Sequence, residues 1–195
     1  MSFNLSIAAA LTFLVMLPAA SAQSRDQQPG DDRSTTAGVH YLNLRVGGGS
    51  GGAMGKPVIC VEARVWTRLS LETCGTGAGL LTELSGTDIA HFRAKVAMRQ
   101  WAAHGGIVRV QLGLGFAELE VGDDDPGFDF GGGSGVETAG PEASTAVQYL
   151  ASLGHGVEAV ASLSAGVAYF AHGPDLAISQ RAWQPFVGLE IGAGF

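Results

Sequence analysis

Few residues in the 195-residue chain have the type and spacing for chemistry. Gly48-Gly49-Ser50-Gly51-Gly52 matches the G-x-S-x-G pattern of a serine nucleophile, but it lies in a glycine run without the strand-to-helix elbow that the chemistry needs. His40, His91, His104, His155 and His172 are scattered, with no Cys-x-x-Cys and no pair spaced to grip a metal from one helix. The segment Ala117 to Ala143 carries Glu118, Glu120, Asp123, Asp124, Asp125, Asp129, Glu137 and Glu142 without a Lys or Arg. Carboxylates at that density could bind a divalent cation, yet the spacing is not that of an EF-hand, and a solvated acidic loop needs no ligand. No catalytic residue, cofactor or metal set is therefore assigned.

Composition narrows the classes. The chain is 46% hydrophobic and only 15% charged, with 30 glycines and a formal charge of −7. The charged fraction falls well below the roughly 25% of ordinary soluble domains. Without clusters of Lys and Arg, nucleic acid is not expected as a partner. The chain is also too apolar to remain disordered.

Three segments follow one another. Residues 1–22 are read as a cleaved signal peptide: Ile7 to Leu17 is apolar except for Thr12, and Pro18 leads to Ala20-Ser21-Ala22, a signal-peptidase pattern. That core is shorter than the ~20 residues of a spanning helix. No Lys or Arg precedes it, so an uncleaved anchor remains the alternative. Residues 23–38 are polar and read as a flexible tail. Residues 39–195 form the folded domain.

In that domain the apolar residues recur with a period of two. Trp183, Pro185, Val187, Leu189, Ile191, Ala193 and Phe195 share one parity, and Gln184, Phe186, Gly188, Glu190, Gly192 and Gly194 the other, which places the two sets on opposite faces of a strand. The same alternation runs through Leu42 to Val46, His91 to Met98, Val108 to Phe116 and Val157 to Tyr169, where Val160 breaks the pattern. Residues 144 to 153 form a weaker strand. Short connections fall at His104-Gly105 and Gly154-His155-Gly156, and long ones at Gly47 to Pro57, Gly75 to Asp88, Gly122 to Ala143 and Ala171 to Arg181. Strands alternating between short and long connections predict an all-β, up-and-down antiparallel barrel that crosses a membrane, with the short turns periplasmic.

On these residues, and above all on the final strand Gln184 to Phe195, the chain resembles the small outer-membrane β-barrels of Gram-negative bacteria, the eight-stranded OmpA and OmpX kind. The resemblance covers residues 39 to 195. It implies location in the outer membrane and contact with outer-membrane lipids and lipopolysaccharide. It also implies that Phe195, read as the C-terminal residue, is the signal by which the last strand engages the barrel assembly machinery. Some small barrels modify lipids through an outward Ser/His pair; around His91 the candidate outward residues are Ala90, Phe92, Ala94 and Val96, with no nucleophile among them.

The strand count turns on Ile59 to Thr73, where alternation is unbroken. One long strand gives seven in all. A reversal near Thr67 gives eight and sets Cys60 opposite Cys74 on one face near the outer rim, where a disulfide can close in an oxidising compartment. Trp66-Thr67-Arg68 holds none of the usual turn residues, so two free thiols on a single strand remain open. The hairpin with its bridge is preferred.

Arg45, Glu62, Arg64, Arg68, Glu72, Arg93, Lys95, Arg99, Arg109, Glu158 and Glu190 all share the less apolar parity. In a membrane barrel that face is the lumen, and eight strands leave a bore that side chains fill. These charges are expected to pair there rather than line a pore, with the glycines of the same face making room for them. The function expected is that of a non-enzymatic outer-membrane barrel with exposed loops and a structural or surface-interaction role. The alternatives are a secreted soluble barrel or sandwich that binds an apolar ligand with its apolar parity inward, and a lipid-modifying barrel enzyme.

Overall fold

The computed structural model describes residues 41–50, 56–76, 86–122 and 136–195. The segments read as a signal peptide (1–22) and a tail (23–38), His40 and most of the acidic loop lie outside the described residues, as do parts of the Gly47–Pro57 and Gly75–Asp88 connections.

Eight strands close into one barrel: β1 (Leu42–Ser50), β2 (Pro57–Arg64), β3 (Leu69–Gly75), β4 (Asp88–Ala103), β5 (Gly106–Glu120), β6 (Glu137–Gly154), β7 (Val157–Tyr169) and β8 (Trp183–Gly194). Each pairs antiparallel with its neighbours in the chain, and β8 returns to β1 with Val46 opposite Ile191. Closure gives every strand a partner on both sides. The segment 57–75 is two strands, not one. Val65 and Trp66 both donate a backbone hydrogen bond to the Leu69 carbonyl (3.0 Å each), and Cys60 faces Cys74 across the pair. A disulfide joins them.

The turn chemistry explains the short connections. His104 (φ 47°) and Gly105 (φ 80°) both take positive φ, as do His155 (φ 53°) and Gly156 (φ 78°), the geometry of two-residue hairpins matched to strand twist. Two bulges interrupt the ladders, at Ala97/Arg99 and at Ser152/Gly154.

The long connection between β5 and β6 is shorter than expected. β5 continues to Glu120 and β6 begins at Glu137, so Glu118, Glu137 and Glu142 belong to strands, with Glu118 and Glu142 buried. The start of β6 is hard to see because its outward residues include Ala139, Pro141 and Ala143, which alternate only weakly in hydropathy.

The apolar parity faces outward on every strand. Leu44, Val46, Leu71, Val96, Leu112, Leu114, Leu163, Val187, Leu189 and Ile191 are all exposed. The reading of an apolar-ligand barrel needed those residues inside, and the barrel carries them outside. Within the barrel, an apolar layer of Ile89, Ala117, Leu119, Ala168 and Phe170 sits at the long-loop end, joined by Val121 and by Leu176 from the β7–β8 loop. A second apolar contact, Leu150 opposite Val160, is buried toward the short-turn end, which is why Val160 breaks the pattern of β7. Between these two layers lies the charged interior.

Candidate functional site

Period-two geometry brings charged and polar side chains from β1 to β6 together inside the barrel, and Glu62 on β2 is their meeting point. Its carboxylate accepts hydrogen bonds from Arg45 on β1 (2.6 Å), Ser70 on β3 (2.7 Å), Lys95 on β4 (3.3 Å), Gln111 on β5 (3.1 Å) and Gln148 on β6 (2.6 Å). Glu72 is its counterpart, bound by Arg45, Lys95 (2.7 Å) and Arg93 (2.8 Å). Arg45 and Glu62 are 1% and 2% exposed. Ions that deep are tolerable only when paired and hydrogen-bonded on most of their atoms, which is the arrangement here.

A second group continues toward the long-loop end. His91 Nδ1 lies 2.6 Å from Glu142 Oε2, and Arg93 Nε lies 3.7 Å from the other oxygen of that carboxylate. Phe186 packs on both side chains, with its ring 4.4 Å from the His91 ring and 5.4 Å from the Arg93 guanidinium carbon. Arg93 also donates to Cys74 Sγ (3.3 Å), which ties the disulfide to the network. Beside this group lies a cavity of about 30 Å³, room for about one water, lined in part by His91, Arg93, Ser164, Phe186 and Glu190.

Of the residues expected in the lumen, Arg45, Glu62, Glu72, Arg93, Lys95, Arg109, Glu158 and Glu190 are buried there. Arg109 is attracted by Glu62 and Glu158 and repelled by Arg64, which is half-buried at the end of β2. Ser164 donates to Glu190 (3.4 Å).

Arg68 and Arg99 are corrections. Arg68 sits in the exposed β2–β3 turn, past the strand whose alternation it continues. Arg99 follows a bulge: Ala97 pairs with Gln111, yet Arg99 pairs with Val110, so the chain has changed phase and Arg99 points outward.

Gln111, Gln148 and Ser70 are part of the network although charge alone did not single them out, and Glu142 joins it although its acidic neighbours assigned it to a loop. Their parity is the available signal, since each alternates with outward residues. His91 faces the lumen rather than the outer surface, which removes it from an outward Ser/His pair. His104 and His155 are turn residues, and exposed His172 lies 3.5 Å from Asp175. Ser50 ends β1, where its hydroxyl accepts from the Val187 amide (3.2 Å), so the G-x-S-x-G match carries no nucleophile elbow. Among the described residues no group of His, Cys, Asp and Glu is placed to hold a metal.

The glycines divide by what stands in the place of their missing Cβ. A Cβ on Gly113 would meet Ser144 Oγ (2.5 Å) and the Lys95 stem (3.3 Å), so this glycine does clear room for a charged side chain. At Gly47, Gly115, Gly140 and Gly192 the obstacle is a carbonyl oxygen of the neighbouring strand, 1.9–2.0 Å away, so there the glycine permits close approach of two backbones.

No protein-family model matches the chain, and no curated protein sequence does. Among solved structures it is similar to the N-terminal β-barrel domain of Pseudomonas aeruginosa OprF, with a TM-score of 0.43 and 11% identity, over 80% of this chain and 98% of that one.

Proposed function

We propose that the protein is a non-enzymatic β-barrel of the bacterial outer membrane, in which a cylinder filled with side chains carries exposed loops for a structural or surface-interaction role. One observation carries this: the polarity of the barrel is inverted, with ion pairs sealed inside and a continuous apolar belt outside. Exposed residues such as Leu114 (68%) and Ile191 (64%) would form an apolar surface far larger than soluble monomers show. Aromatic rings border the belt. Tyr169 and Trp183 meet in a tilted ring contact at the long-loop end (4.7 Å between centroids), and Tyr41, Trp66, Trp101 and Phe195 are exposed at the short-turn end. Trp183 and Phe195 are 12 positions apart (195 − 183). At ~3.4 Å per residue and a tilt of ~40° that is roughly 30 Å, the thickness of a hydrocarbon core.

The belt makes outer-membrane lipids and lipopolysaccharide the expected surroundings. β8 with outward Phe195 is the segment offered to the assembly machinery, so Phe195→Ala should slow assembly in cells while leaving refolding in detergent intact.

The experiment is recovery and electrophoresis. The chain should fold only with detergent or lipid and then migrate as a compact, heat-modifiable band. A folded, monodisperse protein in buffer without detergent would refute the proposal.

A further inference from the structure

The bulge in β4 places a guanidinium where the lumen cannot use it. Met98 and Arg99 are consecutive, yet both are exposed on the outer surface, and Arg99 pairs with Val110, whose side chain faces out. Trp101 is then carried outward as well, and the Arg99 guanidinium carbon lies over its ring, 5.7 Å from the centroid. Trp101 is nearer than Arg99 to the short-turn end of β4, so the Arg99 side chain reaches down the barrel wall toward the aromatic border, as long cationic side chains do at a membrane surface.

Among the described residues no carboxylate pairs with Arg99, while the lumenal Arg45, Arg93 and Lys95 are all paired. A second unpaired cation is adjacent. The β2–β3 turn is fastened to the bulge by a hydrogen bond from the Ala97 amide to the Arg68 carbonyl (2.7 Å), and this turn exposes Arg68 and Trp66. The patch thus combines two exposed guanidiniums with two indoles, at the depth where chain and headgroup of a lipid meet.

We infer that the outer face of β4 beside the β2–β3 turn, at the short-turn end of the barrel, binds the phosphate of an anionic glycerophospholipid. Arg99 is its main ligand, Arg68 adds charge, and Trp101 orients Arg99. The inference rests on the membrane-spanning reading above. A lipid is the occupant because the site lies on the belt itself, where a phosphate arrives attached to acyl chains that cover the apolar wall beside it. A planar guanidinium already stacked on a ring offers two parallel N–H donors to phosphate oxygens at little further cost in freedom.

The test uses the full chain folded into nanodiscs of equal phosphatidylglycerol and phosphatidylcholine, with retained lipid measured by native mass spectrometry. Phosphatidylglycerol should be retained selectively, and Arg99→Gln should lower that retention roughly tenfold or more, the loss expected for charge-assisted hydrogen bonds to phosphate. Arg99→Lys should keep part of it, and Arg68→Gln, in an exposed turn, should reduce it less. A variant that no longer gives the heat-modifiable band is set aside in favour of the other two. Equal retention of both lipids, or selectivity indifferent to all three substitutions, overturns the site while the protein still co-elutes with nanodiscs. Failure to co-elute overturns the membrane reading, and the site with it.

Discussion

Glu62 holds together side chains from five other strands, and its loss would be felt by all of them. Glu62→Leu leaves Arg45 and Lys95 with only Glu72 between them and strands the amides of Gln111 and Gln148. Removing one partner of a buried ion pair costs about 3–5 kcal/mol. The expected outcome is a loss of about 3 kcal/mol or more in urea unfolding of the barrel in lipid vesicles. Glycine gives a sharper comparison. Gly115→Ala drives a Cβ into the Phe92 carbonyl, whereas nothing stands within 4 Å at Gly48. The first substitution should cost about 1–3 kcal/mol, as overpacking does. At the exposed Gly48 the change should stay within about 0.5 kcal/mol by the same measurement.

Among the elements, the β2–β3 hairpin is the shortest pair, with strands of 8 and 7 residues against 15 to 18 for β5 and β6. Its register is fixed by the disulfide as well as by the ladder. Replacing both Cys60 and Cys74 with Ala reopens a loop of 14 residues, for which chain entropy gives about 3 kcal/mol. The variant should still form a barrel but lose heat resistance, read as a lower temperature for the shift to the unfolded band. These elements also show what the sequence discloses. The strict alternation of β8 is legible because each outward residue is large and apolar and each inward one small or polar. The reversal at Trp66 is legible only through the symmetry of the two cysteines, because the turn itself lacks Gly, Pro, Asn and Asp. The Arg99 flip is not legible at all: a bulge adds one residue to the count without any mark in composition, and parity arithmetic carries its error past that point. Glu142 was obscured differently, since a run of acids suggests solvent until a strand is seen to carry one of them inside.

For the whole molecule, the inverted polarity makes a prediction that a soluble barrel would reverse. Leu114 is at the middle of β5 and is 68% exposed. In water, Leu114→Arg would be harmless or helpful; in a bilayer, an arginine at mid-depth costs about 2–4 kcal/mol. Urea unfolding in vesicles should show that loss, while an unchanged midpoint would argue that the belt does not meet lipid.

The convergence of five strands on one carboxylate has a further consequence for how the chain finds a single shape. A one-residue slip between any two strands turns inward residues outward and is opposed by the alternation itself, but a two-residue slip keeps each side chain on its face, and a wall rich in Gly, Ala, Val and Leu opposes that slip only weakly. Glu62 opposes it strongly. Its donors from β1, β3, β4, β5 and β6 can all reach it only when each strand stands at its proper height, and a strand slipped by two residues would bring the next inward residue, such as Gly47 for Arg45 or Gly113 for Gln111, where a cation or amide is required. The interior thus works as a combination lock on strand register: it closes for one alignment of the chain and leaves every misaligned barrel with a bare charge at its centre.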